Sequence, residues 1–117
     1  MRQLEILEEI LRMYRSFGWT LRRVLLCDET REALRQTHGS DEELYGASVV
    51  HDSFDALWIA RQTSDGREAW ELRLVNPTPY ALFETFEPNE AEEDRREVRR
   101  EMESRLRAYA SGEKNSA

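Results

Sequence analysis

Two apolar runs flank a turn signal within residues 56–75 of the chain, at Asp65-Gly66. Asp-Gly favours a two-residue hairpin turn because a type I′ turn requires positive φ at both central residues. We therefore predict an antiparallel hairpin in which Ser64 pairs with Arg67. This register gives an apolar face with the pairs Leu57–Leu74 and Ile59–Leu72, and a mixed face with the pairs Trp58–Arg73 and Ala60–Glu71.

Helical spacing of apolar residues occurs near both ends of the chain. Residues 2–17 place apolar side chains at three- and four-residue steps, at Leu4, Leu7, Leu11, Tyr14 and Phe17. Residues 90–110 follow the N-cap candidate Asn89 and carry a narrow apolar seam at Ala91, Val98, Met102, Leu106 and Tyr109. A seam this narrow suits packing on a sheet or on a symmetry mate, so it admits a homodimer.

The middle of the chain predicts shorter elements. They are a strand at residues 19–27, a short helix at 29–36 capped by Asp28, one helical turn at 40–45 and a strand at 80–86. Residues 47–54 are compatible with an edge strand or with an ordered loop. The fold class that we expect is α+β, a mostly antiparallel sheet of about four strands with the N- and C-terminal helices packed on one face. A single domain is predicted over residues 1–110, with a flexible tail at 111–117.

Composition narrows the function classes. Charged residues make up 35% of the 117 residues and the net charge is −7, which argues against binding to nucleic-acid phosphates. The single cysteine, Cys27, cannot form an internal disulfide, which fits a reducing compartment. The first residues do not form a signal peptide, and no apolar run approaches the roughly 20 residues of a membrane span. We expect a cytoplasmic protein without membrane contact.

Candidates for catalysis and metal binding are weak. Cys27 lies at a predicted helix start, but neither of the two histidines carries a motif that makes it a general base for a thiol. His51, Asp52 and Asp55 resemble a sparse metal-ligand cluster without the further ligands that zinc requires. The acids at 90–94 are typical of the first turn of a helix. We therefore predict no catalytic residue, no metal and no cofactor.

The remaining candidates for a functional site are aromatic and basic residues on the predicted strands. Most aromatic side chains on the predicted strands are expected in the core, but the predicted register exposes Trp58 together with Arg73. Both residue types are enriched in binding hot spots, although the two side chains are equally compatible with a cation–π pair. Our first hypothesis is an adaptor-like module that binds an unknown protein through this face or through the last helix. The alternative is a domain for a small ligand or a metal, with a pocket between sheet and helices where Arg61, Arg73 and Tyr80 contact an acidic ligand.

Overall fold

A six-stranded mixed sheet organises residues 2–112, the part of the chain that the computed structural model describes. The elements in chain order are α1 Arg2–Ser16, β1 Thr20–Leu26, α2 Asp28–His38, β2 Glu43–Leu44, β3 Ala47–His51, β4 Ala56–Gln62, β5 Glu68–Leu74, β6 Ala81–Phe86 and α3 Glu92–Gly112. They form one α+β domain. Residues 111–112 of the predicted tail belong to α3, and residues 113–117 lie outside the described part.

The sheet is wider than the four strands we predicted. Its order is β2-β3-β1-β4-β5-β6, and β1 pairs with β3 in parallel while the other neighbours are antiparallel. The two extra strands arise because Tyr45 (φ 52°) and Gly46 (φ 84°) form a two-residue turn between Leu44 and Ala47. This turn replaces the helical turn predicted at residues 40–45. It also makes residues 47–51 an inner strand, and α2 supplies the crossover that a parallel pair needs.

The hairpin between β4 and β5 exists, but its register differs from the prediction by one residue. The N–H of Thr63 donates to Arg67 O (2.9 Å), and the N–H of Gly66 donates to Thr63 O (3.2 Å). Three residues therefore form the loop, and Gly66 takes the positive φ (88°) that such a loop requires. The pairs are Leu57–Arg73, Trp58–Leu72, Ile59–Glu71 and Ala60–Trp70, so the predicted pairs are wrong.

The register explains why helices cover both faces of the sheet. Leu72 and Leu74 join Trp58 on one face, whereas Leu57 and Ile59 remain apolar on the other. Both faces of β4 must then be buried, so the prediction that the terminal helices share one face is wrong. Helices α1 and α2 pack on what we call the α1 face, and α3 packs on the opposite α3 face.

A buried carboxylate joins the elements of the α1 face. Asp55 Oδ1 accepts from the N–H of Cys27 (2.8 Å), and Oδ2 accepts from Thr30 Oγ1 (2.7 Å) and Gln3 Nε2 (2.9 Å). Helix α2 begins at Asp28 with Cys27 as its N-cap, so the predicted cap at Asp28 is off by one residue. The N-terminal dipole of α2 and three donors stabilise the buried charge.

Candidate functional site

The two residues proposed for an exposed binding face are buried. Trp58 is 1% exposed, and its Nε1 donates to Glu103 Oε2 (2.7 Å) on α3. Arg73 is 6% exposed, and its Nε donates to Leu74 O (3.0 Å). They lie on opposite faces because Trp58 pairs with Leu72 rather than with Arg73. The predicted exposed pair therefore does not form, and Met102 and Leu106 of the α3 seam are also buried, against the sheet.

Arg61 and Tyr80 are far from each other along the sheet. Arg61 is exposed near the hairpin turn, where its Nη1 donates to Phe17 O (3.0 Å) and its guanidinium lies 5.5 Å from the centroid of Trp19. Tyr80 accepts from the N–H of Leu74 (3.0 Å) at the other end of β5. Its ring stacks on Tyr109 of α3, with centroids 3.6 Å apart. The structure does not gather the predicted residues into one pocket, and their role in binding stays a prediction.

The weak catalytic and metal candidates take separate partners. His51 Nε2 lies 3.1 Å from Asp28 Oδ1, while Asp52 accepts two hydrogen bonds from Arg107 (3.1 and 2.8 Å). Cys27 Sγ lies 3.4 Å from Thr30 Oγ1. Within residues 2–112, no three His, Cys, Asp or Glu side chains are grouped closely enough to hold a metal ion.

A cleft of about 640 Å³ runs along α2 and is lined only by charged residues. Asp41 there accepts from Arg35 (3.0 Å) and lies 3.4 Å from Arg31. These contacts hold the pKa of Asp41 below its usual range, with the Arg35 hydrogen bond as the main cause. Asp41 thus neutralises part of the arginine charge here, while Arg31 Nε is buried without a hydrogen-bond partner among the described residues.

Strand β6 lies at a free edge of the sheet. Strand β6 pairs only with β5, and the N–H of Leu74 donates to Tyr80 O. Since bonded and outward positions alternate in an antiparallel pair, residues 82, 84 and 86 bond to β5. The backbone groups of residues 81, 83 and 85 therefore point away from the sheet. The N–H of Thr85 donates to Glu84 Oε2 (3.3 Å), whereas the N–H groups of Ala81 and Phe83 face outward without such a contact among the described residues.

Phe83 makes this edge apolar at its centre. It lies opposite Glu71 on the α1 face and is 58% exposed. The apolar core on this face includes no described side chain of β5 or β6. Ala69 and Arg73 of β5 are nevertheless buried, so the uncovered part of this face is the β6 edge around Phe83. Met13 and Phe17 of the α1 end are exposed on the same side, which adds apolar surface beyond the strand.

Polar side chains of Tyr14, Glu71 and Arg73 form a row between the part of the α1 face that the helices cover and the uncovered part. The Tyr14 hydroxyl of α1 donates to Glu71 Oε2. Burial raises the pKa of Tyr14, and the contact with Glu71 raises it further, whereas Arg73 lowers it. Tyr14 thus remains a protonated donor at neutral pH and holds Glu71 beside Phe83.

Sequence reasoning missed Phe83 as the exposed aromatic residue on the predicted strands. The signal was the alternation in residues 81–86, where Leu82 and Phe86 share one side and Phe83 stands with Ala81 and Thr85 on the other. We expected the strand aromatics in the core and took Trp58 as the exception, because the predicted register set a charged residue opposite it.

Comparison of the chain with protein-family models, with curated proteins and with solved structures gave no match. None of the helices found in residues 2–112 combines the length and the apolar character that crossing a membrane requires.

Proposed function

We propose that the protein is a protein-interaction module that binds an extended segment of a partner along the free edge of β6. The carrying observation is the six-residue edge strand with Phe83 exposed at its centre. Adding a strand to a sheet edge supplies main-chain hydrogen bonds for affinity, while alternate side chains supply specificity. The acidic composition and the absence of a catalytic motif in the sequence also support this class over an enzyme. The lone cysteine supports a cytoplasmic location.

The edge lacks the usual protection against added strands. Proteins shield such edges with lysine, proline, bulges or very short strands. Residues 81–86 contain neither lysine nor proline, their pairing with β5 is regular, and Glu84 is their one charged side chain. An edge of this length with a single charge is a hazard for aggregation unless a partner uses it.

The side chains around the edge define the partner's chemistry. A residue opposite Phe83 would lie on the α1 face, where an apolar side chain would pack beside the exposed Phe83 ring. A residue opposite Glu84 would lie on the α3 face, where a basic side chain offsets the carboxylate. The favoured partner segment therefore alternates apolar and basic residues.

The test uses peptides selected from a random ten-residue library on the immobilised full chain, followed by amide hydrogen exchange of the complex. We expect bound peptide to slow exchange most at residues 81 and 83, because these β6 amides lack a bond to β5. The Thr85 amide also points outward but already donates to Glu84 Oε2, so its exchange should slow less. Residues 82 and 84 should change little. Protection confined to another surface, or no selected peptide, would refute the proposal.

Variants locate the contact independently. Phe83→Lys should abolish peptide binding without unfolding the protein, since the side chain is already in solvent. The matched control is Tyr45→Asn, which removes an exposed aromatic at the opposite end of the sheet and keeps a residue that tolerates positive φ. Self-association that Phe83→Lys abolishes would show that a second copy occupies the edge, in place of the proposed partner.

A further inference from the structure

A second surface has the opposite electrostatic character to the rest of this acidic chain. A cleft of about 320 Å³ between β1 and α3 is lined by four guanidinium groups and one carboxylate, from Arg23, Arg96, Arg99, Arg100 and Glu103. The net charge of the chain is −7, so a local excess of arginine is not an average property of its surface. Arginine pairs with phosphate and carboxylate groups through two parallel hydrogen bonds.

A bulge in β1 helps to build the basic wall. Leu21 pairs with Ile59 and Arg23 pairs with Trp58, so Arg22 is the extra residue between them. Arg23 thereby shares the α3 face with Trp58, and the Arg22 guanidinium lies 5.1 Å from the centroid of Trp70 on that same face. Bulges commonly redirect side chains next to binding sites.

Aromatic contacts hold part of the wall in place. The Arg99 guanidinium lies 4.5 Å from the Trp70 centroid, and Trp70 Nε1 donates to Glu68 Oε1 (3.1 Å). Glu103 is fixed by the Trp58 hydrogen bond. Because these side chains are ordered before binding, less conformational entropy is lost when a ligand arrives.

The carboxylates near the cleft do not saturate its guanidinium donors. Glu92 is shared by Arg99 (2.6 Å) and Arg96 (4.0 Å), and Arg100 pairs with Glu97 (2.6 Å). Arg23 has no acidic partner within ion-pair distance anywhere in residues 2–112. One oxygen of Glu103 is already used by Trp58.

From this imbalance we propose that the cleft binds a small anion with at least two negative charges, carried by phosphate or carboxylate groups. The volume suits a small metabolite. Long polyanions are disfavoured because α3 carries further exposed acids, among them Glu97, which pairs with the cleft residue Arg100. This site is separate from the β6 edge, so either proposal can fail without the other.

Calorimetric titration of the full chain tests this, with pyrophosphate and citrate as probes and chloride at matched ionic strength as reference. We expect one bound anion per chain and a shifted Trp70 indole N–H resonance. Pyrophosphate binding alone would identify phosphate as the group recognised, and citrate binding alone would identify carboxylate. No saturable binding of either probe would overturn the proposal.

Three Arg→Gln variants, which remove the same charge at different positions, test where the anion binds. Arg23→Gln and Arg96→Gln remove exposed cleft arginines and should each weaken binding by about tenfold or more. The control Arg61→Gln makes the same charge change on the α1 face and should leave the affinity unchanged. Equal weakening by all three variants would show nonspecific attraction and refute the cleft as the site.

Discussion

The two faces of β6 place neighbouring aromatic residues in opposite environments. Phe86 is 1% exposed beneath α3, whereas Phe83, three residues earlier, is 58% exposed on the α1 face. The difference arises because the helical layers are offset along the sheet. The α1-face core reaches across β2, β3, β1 and β4, whereas the α3-face core involves β1, β4, β5 and β6. The sheet is wider than either layer, and the uncovered strip of the α1 face coincides with the free edge.

Truncation of these two phenylalanines should give the largest difference in stability between the two faces. Phe86→Ala removes a fully buried ring and should reduce the free energy of unfolding by about 3–5 kcal/mol. Phe83→Ala removes a side chain that is mostly in solvent and should cost less than about 1 kcal/mol. Urea denaturation measures both. Similar losses for the two variants would mean that the α1 face of β6 is covered.

A single hydroxyl tests the polar row that bounds the uncovered strip. Tyr14→Phe removes the donor to Glu71 and should cost about 1 kcal/mol, since the part-buried carboxylate loses its partner. Tyr80→Phe is the matched control, because the Tyr80 hydroxyl has no hydrogen-bond partner in the described part of the chain and its ring stays stacked on Tyr109. Equal changes in unfolding free energy would argue against the Tyr14–Glu71 contact.

The smallest effect concerns an ion pair that holds α3 on its face. Burial raises the pKa of Asp52, but hydrogen bonds from Arg107 and from the Ser53 amide outweigh it and lower that pKa overall. Because the pKa is lower in the folded state, the charged Asp52 stabilises the fold at pH values above its pKa in the unfolded chain, which is about 3.9. This contribution is lost as the pH falls through the folded-state pKa. Asp52→Asn should therefore cost about 0.5 kcal/mol at pH 7 and less below pH 4.

The control for this pH dependence is Glu101→Gln, which removes an exposed acid of α3 without an ion-pair partner among residues 2–112. Its unfolding free energy should stay close to that of the wild type from pH 7 to pH values below the folded pKa of Asp52. A deficit of Asp52→Asn that does not shrink as pH falls through this folded pKa would show that the Arg107 contact is not electrostatic.

Local signals predicted the periodic elements well. The spacing of Leu4, Leu7 and Leu11 placed α1, and Gly39 ends α2 in the left-handed conformation close to the predicted helix end at residue 36. The shorter sequence patterns predicted the wrong element. Residues 40–45 favoured a helical turn, but pairing of Leu44 with Ala47 within the sheet makes this segment part of a hairpin.

For the candidate site, the sequence showed which residues are present but not which of them are exposed. Phe83 and Arg23 were visible as residues, but their exposure depends on which helix covers which strand. The bulge at Arg22 could not be predicted, because the apolar and polar residues from Leu21 to Leu26 are equally compatible with a regular strand.

The sequence by itself determined the α+β class, the terminal helices and the presence of the hairpin, because these depend on periodicity and on residues close in the chain. Only the tertiary structure decided the hairpin register, the parallel pairing of β1 with β3, and the placement of α1 and α3 on opposite faces. A shift of one residue moves every side chain of a strand to the other face, and only the packing of both faces selects between the two registers.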